Sequence, residues 1–394
     1  MVRFIFTFLL LIHGLIHLLG FVKEFGLTQV SQLSGKTLIP LSGGSAKAMG
    51  VLWLFTALLF LVSAFTFLLK KDGWWMVASI ALLLSQVLII FYWPDAKIGT
   101  IANLIVLVGI MLAFGTWRFN NMVKQELKSL SAQPLTEKII ITSEMLRNVP
   151  PVVQKWLSRS NIIGKEVIGS VYLHQKGEMR TKPNGNWMPV KAEEYFSVYQ
   201  PGFIWIADVK AAPFVHLAGR DKYENGRGNM LIKLLSLYPV ADAKGKETDQ
   251  GTLLRYLGEM VWFPSAALNN YITWEPINAT AARATMSYGG VTATGVFRFN
   301  PDGDVISFEA LRYYDRKEGA TLENWFVAVD PNSYQEFEGI RVPTKSAVTW
   351  KLNTGDFTWF RLEITAINYN QLTDTLRPFP EKALAKTNTY EVAP

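Results

Sequence analysis

Two histidines stand four residues apart inside an apolar run, Leu11-Ile12-His13-Gly14-Leu15-Ile16-His17. At helical spacing they share one face, and ionisable residues inside an apolar span are functional candidates by default. Such a pair could clip a metal, relay a proton or hydrogen-bond to a neighbouring helix. It could not supply both axial ligands of one haem, because both rings lie on the same side. A metal would need further ligands, for which Gln86 and Asp95 are the candidates. Neutral histidines bonded to adjacent helices are the simplest expectation, and no metal or cofactor is assigned. Asp95 follows Pro94 in a turn, where it is expected to cap the next helix. The alternative gathers it with Gln86, His13 and His17 into one polar cluster.

A second charged pair occurs in Arg255-Tyr256-Leu257-Gly258-Glu259-Met260-Val261-Trp262-Phe263-Pro264. Arg255 and Glu259 are four apart and can pair on a helix. They form either a surface ion pair or a charged pair at a cavity mouth that orients a polar head group. Large rings, including Trp205, Trp262 and Phe263, are spread over nearly every element of this half. They either fill a core or line a greasy hollow. Arg255, Glu259, Trp205, Trp262 and Phe263 are therefore the candidate ligand-binding residues. No catalytic residue is assigned, since phosphate-loop, dinucleotide, zinc-protease, nucleophile-elbow and kinase patterns are all absent. His174 and His216 are the other two histidines, with no local motif around either. With no cysteine, disulfides, thiolate metal sites and cysteine nucleophiles are excluded.

These residues sit on two different kinds of chain. Residues 1–119 contain four apolar runs, at about 4–22, 48–69, 74–93 and 98–117, each close to the 20 residues that cross a bilayer core. Trp74, Trp75, Tyr92, Trp93 and Trp117 mark their ends as interfacial anchors. The first run lacks a small-residue cleavage site and three more follow, so it reads as a retained span. Basic residues Arg3, Lys70, Lys71, Arg118, Lys124 and Lys128 lie on one side, against Lys23, Lys36, Lys47 and Lys97 on the other. That asymmetry places both termini, and the C-terminal domain, in the cytoplasm. Most of the +7 net charge belongs to this half, so the high pI carries no nucleic-acid signal.

Residues 120–165 read as a helical connector, with one amphipathic helix opening near Ser143 and another restarting after Pro150-Pro151. From 166 to 370 the pattern alternates, and eleven strands are expected, at about 166–181, 189–200, 202–211, 215–224, 271–276, 280–288, 291–299, 304–314, 322–330, 342–351 and 357–369. Short turns make them antiparallel, and so many strands require a curled sheet or half-barrel. Residues 249–268 break the alternation with helical spacing of Leu253, Leu254, Leu257 and Val261, giving a helix that covers the sheet. Residues 371–394 read as a loose tail. The expected fold class is a four-span membrane α-helical bundle joined to a mainly antiparallel β domain.

The stretches LIHGLIHLLGF, SQVLIIFYWPDAKIGTIAN, PPVVQKWLSRSNIIG, VWFPSAAL, GGVTATGVFRFNPDGDV and EGIRVPTK resemble a bacterial membrane-protein family of unknown function. That resemblance implies no activity. The pattern of the second half, with its late strand-turn-strand order ending in Glu338-Gly339-Ile340-Arg341-Val342-Pro343, is also similar to the LolA/LolB-like lipoprotein carriers. It implies a half-barrel with helices closing a lipid-binding hollow. The expected function is a membrane-tethered binding protein for an apolar or lipidic ligand, with the bilayer and that ligand as partners and no nucleic acid. The alternatives are a membrane enzyme or proton- or redox-handling protein using His13 and His17, and a non-catalytic sensor or assembly factor.

Overall fold

A computed structural model describes residues 2–29, 33–131 and 138–371; the expected tail lies outside them except for Gln371. The chain divides into two compact units, with the change at Asn120 and Asn121. The first contains α1 (Val2–Glu24), α2 (Gly43–Leu68), α3 (Trp74–Phe91), the single turn α4 (Trp93–Ala96) and most of α5 (Gly99–Leu130). Helices α1, α2, α3 and α5 are each long and apolar enough to cross a membrane.

Their packing is inverted relative to a water-soluble bundle. Phe4, Ile5, Phe8, Phe65, Leu83 and Ile98 point outward, while Thr7, His13, His17, Thr56, Ser63, Ser85 and Asn103 are buried. Small residues allow close approach between helices, as lipid-facing bundles require. A Cβ on Gly20 would lie 2.4 Å from the Trp53 ring, and one on Gly109 would lie 2.5 Å from Phe6. The fourth apolar run and the polar stem after it form one unbroken helix, α5.

The second unit begins with the last turns of α5, where Glu126 pairs with Arg220 at 3.0 Å and Lys222 at 3.2 Å. Next come a 3-10 turn at Met145–Asn148, in place of the expected helix, and α6 (Pro151–Arg159). Pro150 and Pro151 permit only a short start before the chain restarts with proline in the first turn.

Six strands follow: β1 (Ser170–Met179), β2 (Met188–Ser197), β3 (Gly202–Ala212), β4 (Val215–Glu224), β5 (Arg227–Leu234) and β6 (Tyr238–Lys244). A helix, α7 (Lys246–Glu259), and two 3-10 turns ending at Leu268 come next. The rest is β7 (Ile272–Asn278), β8 (Ala281–Tyr288), β9 (Val291–Phe299), β10 (Val305–Tyr314), β11 (Thr321–Val329), the β12–β13 hairpin (Tyr334–Phe337, Ile340–Pro343), β14 (Lys345–Leu352) and β15 (Gly355–Tyr369).

Thirteen strands form one antiparallel sheet in the order β6-β5-β4-β3-β2-β1-β15-β14-β11-β10-β9-β8-β7. The sheet curls into a half-barrel, as the strand count requires. Register shifts at His174/Gln175, Lys210/Ala212 and Val348/Thr349 add bends at bulges. The path explains the helix. Strands β1 to β6 run outward to one edge, and β7 starts at the opposite edge. The segment between them must therefore cross the concave face, where α7 packs on β4, β5 and β6 of one arm and β8, β9 and β10 of the other. The two arms also meet at their turns. A Cβ on Gly226 would lie 2.1 Å from the Gly289 carbonyl oxygen, and both glycines have left-handed backbones. Beside this contact the Tyr223 hydroxyl donates to the Tyr288 carbonyl at 2.9 Å.

Candidate functional site

Antiparallel register puts three residues in a row on the concave face, since Glu194 on β2 faces Trp205 on β3, and Trp205 faces Asp221 on β4. Helix α7 lowers Arg255 onto this row. Its guanidinium donates to Glu194 at 2.8 Å, to Asp221 at 2.6 Å and to Glu259, one turn later, at 2.9 Å. The other Glu194 oxygen accepts from Gln175 at 2.9 Å, and the Trp205 indole donates to Gln175 at 2.9 Å. The rings of Phe203 and Trp205 lie 4.8 and 5.5 Å from the guanidinium carbon. Glu194 is fully buried.

Three carboxylates around one arginine cannot all be ionised cheaply away from water. Burial raises Glu194 well above the usual glutamate range, the charge of Glu259 adds to this, and Arg255 only partly opposes them. A proton on Glu194 relieves its repulsion with Glu259. Arg255 stays charged, because the three carboxylates outweigh the effect of its burial.

A stability prediction follows from the sign of that shift. Unfolded, Glu194 titrates near the ordinary value of about 4.3; folded, it keeps its proton to higher pH. The stabilisation it contributes is full below about pH 4 and is lost as pH rises through its folded-state value. The thermal midpoint of the full chain in detergent is expected to fall between about pH 5 and pH 8. Glu194→Gln, neutral throughout, should flatten that slope. A wild-type midpoint that does not change over this interval would rule out the upward shift of Glu194.

The sequence-derived candidates separate into groups. Arg255 and Glu259 do pair at four-residue spacing, but inside a buried cluster rather than at the surface, and Trp205 stands beside them. Phe263 packs away from this cluster, with its ring 4.6 Å from Phe196 and 5.4 Å from Tyr256. Trp262 is buried and helps line a cavity of about 30 Å³ with Glu259, Phe308, Trp325, Val327 and Leu362. That volume admits one or two water-sized groups. Most of the large rings therefore fill the core.

Glu194, Asp221 and Gln175 were not among the candidates, although alternation carried a usable signal. Glu193 and Glu194 are adjacent in one strand, so one of the two must face inward. Arg220, Asp221 and Lys222 pose the same choice in β4.

In the helical unit His13 Nε2 lies 2.8 Å from Asn103 Oδ1, and His17 Nε2 lies 2.9 Å from the Ser85 hydroxyl. His17 Nδ1 donates to the His13 carbonyl at 2.7 Å. Asn103 donates to Gln86 at 3.0 Å, and Gln86 donates to Thr100 at 3.3 Å. His13, His17 and Gln86 therefore belong to one hydrogen-bonded network, which Asn103 and Ser85 complete. Asp95 does not belong to it, and it does not cap α5. It accepts from the Ser34 and Gly35 amides at 3.0 and 2.8 Å and so ties down the α1–α2 connection. Its position in the α4 turn, before Gly99 starts α5, directs it to that loop. Among the described residues, no three His, Cys, Asp or Glu side chains converge as a metal site.

Among curated proteins none matches the chain. The crystal structure of a DUF1329 family protein from Desulfovibrio piger ATCC 29098 is similar over 63% of this chain and 98% of that one, with 10% identity and a TM-score of 0.33. The sequence model of DUF6544, a family of unknown function, matches residues 139–362, more than half of the chain and nearly all of the half-barrel. The chain belongs to the DUF6544 family.

Proposed function

We propose that this is a membrane-tethered binding protein that takes an apolar or lipidic molecule into the hollow beneath α7. The observation that carries the reading is the wall of the small cavity there. Glu259 belongs both to this wall and to the Arg255 cluster, so apolar surface and a charged group adjoin. Trp262 and Trp325 also form the wall, and neither indole N–H has an acceptor among the described residues. A buried donor left unpaired costs about 1–3 kcal/mol, which an oxygen of a bound ligand would offset.

An acyl chain is much larger than the cavity, so binding would displace the covering segment 246–268. The resemblance to LolA/LolB-like carriers points the same way. Four spans would hold the hollow beside the bilayer, on the cytoplasmic side by the distribution of basic residues, and raise the effective concentration of a membrane-derived ligand to about millimolar. The His13/His17 network supports the enzymatic alternative less well, because its side chains satisfy one another.

Titration of the full chain in detergent with a fluorescent fatty-acyl probe tests this reading. Saturable binding is expected, and Ser346→Phe, which fills the cavity, should weaken it at least tenfold. Equal probe uptake by the wild type and Ser346→Phe, or no saturable uptake at all, would end it.

A further inference from the structure

Buried arginines elsewhere in the second unit have partners. Arg220 bonds Asn229 and pairs with Glu126, Arg255 holds three carboxylates, and the half-buried Arg341 shares Asp304 with the exposed Arg159. Arg312 is different. It lies on β10, on the same face as Ala310 and Phe308, and its guanidinium carbon is 5.0 Å from the Trp325 ring and 5.9 Å from the Trp350 ring. Helix α7 covers it at Gly251, where a Cβ would come within 3.1 Å of Nε. The residue opposite it in register is Glu323 on β11, but Glu323 is engaged by Arg316 at 2.6 Å and by Thr321 at 2.9 Å. Asp221 and Glu259 act on it electrostatically, yet both are bound to Arg255. Arg312 thus makes no hydrogen bond or ion pair with any described residue. Burial pulls it down to about 10, so it is still a cation at neutral pH.

The geometry points to Arg312 as the anchor for a singly charged oxyanion, a carboxylate or a phosphodiester, at the head of the ligand. This rests on the lipid-binding reading above and specifies its ligand class. A guanidinium presents a planar fork of donors that suits both groups. The flanking indole faces hold the fork in place. Trp325 touches Arg312 on one side and lines the cavity on the other, and Val327 and Val329 continue the same wall along β11. From Trp325 to Val329 the strand rises about 13 Å, a path for the chain of a molecule whose head rests on Arg312. The nearby carboxylates Asp221 and Glu259 disfavour a doubly charged head, which selects the monoanion.

The test uses the full chain in detergent and displacement of the fluorescent acyl probe by palmitate, by a lysophospholipid phosphodiester and by neutral methyl palmitate. Wild-type protein is expected to bind at least one of the two anions ten times or more tighter than the ester. Whichever anion shows the preference identifies the oxyanion. Arg312→Gln should bring anion and ester to parity while leaving ester affinity within about twofold, and Arg312→Lys should keep most of the preference. The melting point of Arg312→Gln should equal or exceed that of wild type, since an unpaired half-buried cation is removed. If Arg312→Gln instead fails to fold, loss of preference in Arg312→Met or its retention in Arg312→Lys decides the matter. Equal binding of anion and ester by wild type, or an anion preference that survives in Arg312→Gln, overturns the anchor and leaves the lipid-binding reading intact. Failure of every competitor to displace the probe overturns both.

Discussion

Arg255→Ala is expected to destabilise the half-barrel by about 3–5 kcal/mol, the cost of leaving a buried charge without its partner. Arg255 is the only cation bonded to Glu194, Asp221 and Glu259 among the described residues, and it also joins α7 to β2 and β4. Removing it leaves three carboxyls facing one another under the helix. Protonation would relieve part of the repulsion, so the loss should be smaller at pH 5 than at pH 8. Denaturant unfolding of the full chain in detergent, followed by tryptophan fluorescence, measures it. The control is the quadruple variant Arg255→Met, Glu194→Gln, Asp221→Asn and Glu259→Gln, which removes the charges together and should recover most of the stability. A loss below about 1 kcal/mol for Arg255→Ala would mean that water reaches the cluster and screens it.

Trp262→Ala is the second large effect. The indole is 3% exposed, and its backbone carbonyl accepts from the Tyr369 hydroxyl at 2.7 Å, so it sits where the crossing segment meets the last strand. As a core truncation it should cost about 3–5 kcal/mol. The backbone bond to Tyr369 survives the substitution, which confines the effect to the ring. The hole left behind adjoins the existing cavity, so Trp262→Ala should also take up the acyl probe at least as well as wild type in the fraction that remains folded. A change in melting point of less than about 2 °C, corresponding to at most about 1 kcal/mol for a unit of this size, would show that the ring forms a loose lid rather than core.

The elements most visible in the sequence were those whose signal is local. Apolar length alone locates all four long helices, because nothing but composition is needed to cross lipid. The turns Asn225-Gly226, Gly289-Gly290 and Asp302-Gly303 likewise mark real strand ends, since φ is positive at Gly226, Gly289, Gly290 and Gly303. Strands β5 and β6 were not legible for a related reason. Their turn uses Leu235 and Ser236, both left-handed without glycine or asparagine to announce it. The charged site divides in the same way. Arg255 and Glu259 are one helical turn apart and can be read from spacing, whereas Glu194 and Asp221 reach them through strand pairing over 61 and 34 residues. Apolar rings give no indication of whether they fill space or border it, so Trp262 at the cavity and Phe263 in the core look alike until the fold is known.

The middle of the sheet has a consequence for how the protein is made. Its central pair joins the first strand to the last, with Val171 opposite Tyr369. A chain emerging from the ribosome therefore completes the residues of both arms and of the crossing helix before the strand that unites them exists. Contacts so distant in sequence form slowly and late, while the unpaired edges of β1 and β14 stay open to other chains. The apolar helices come first in the chain and are available to a membrane well before that moment. A nascent chain halted before Gly355 would lack the seam of the barrel rather than its rim, leaving two half-sheets side by side at the place of synthesis.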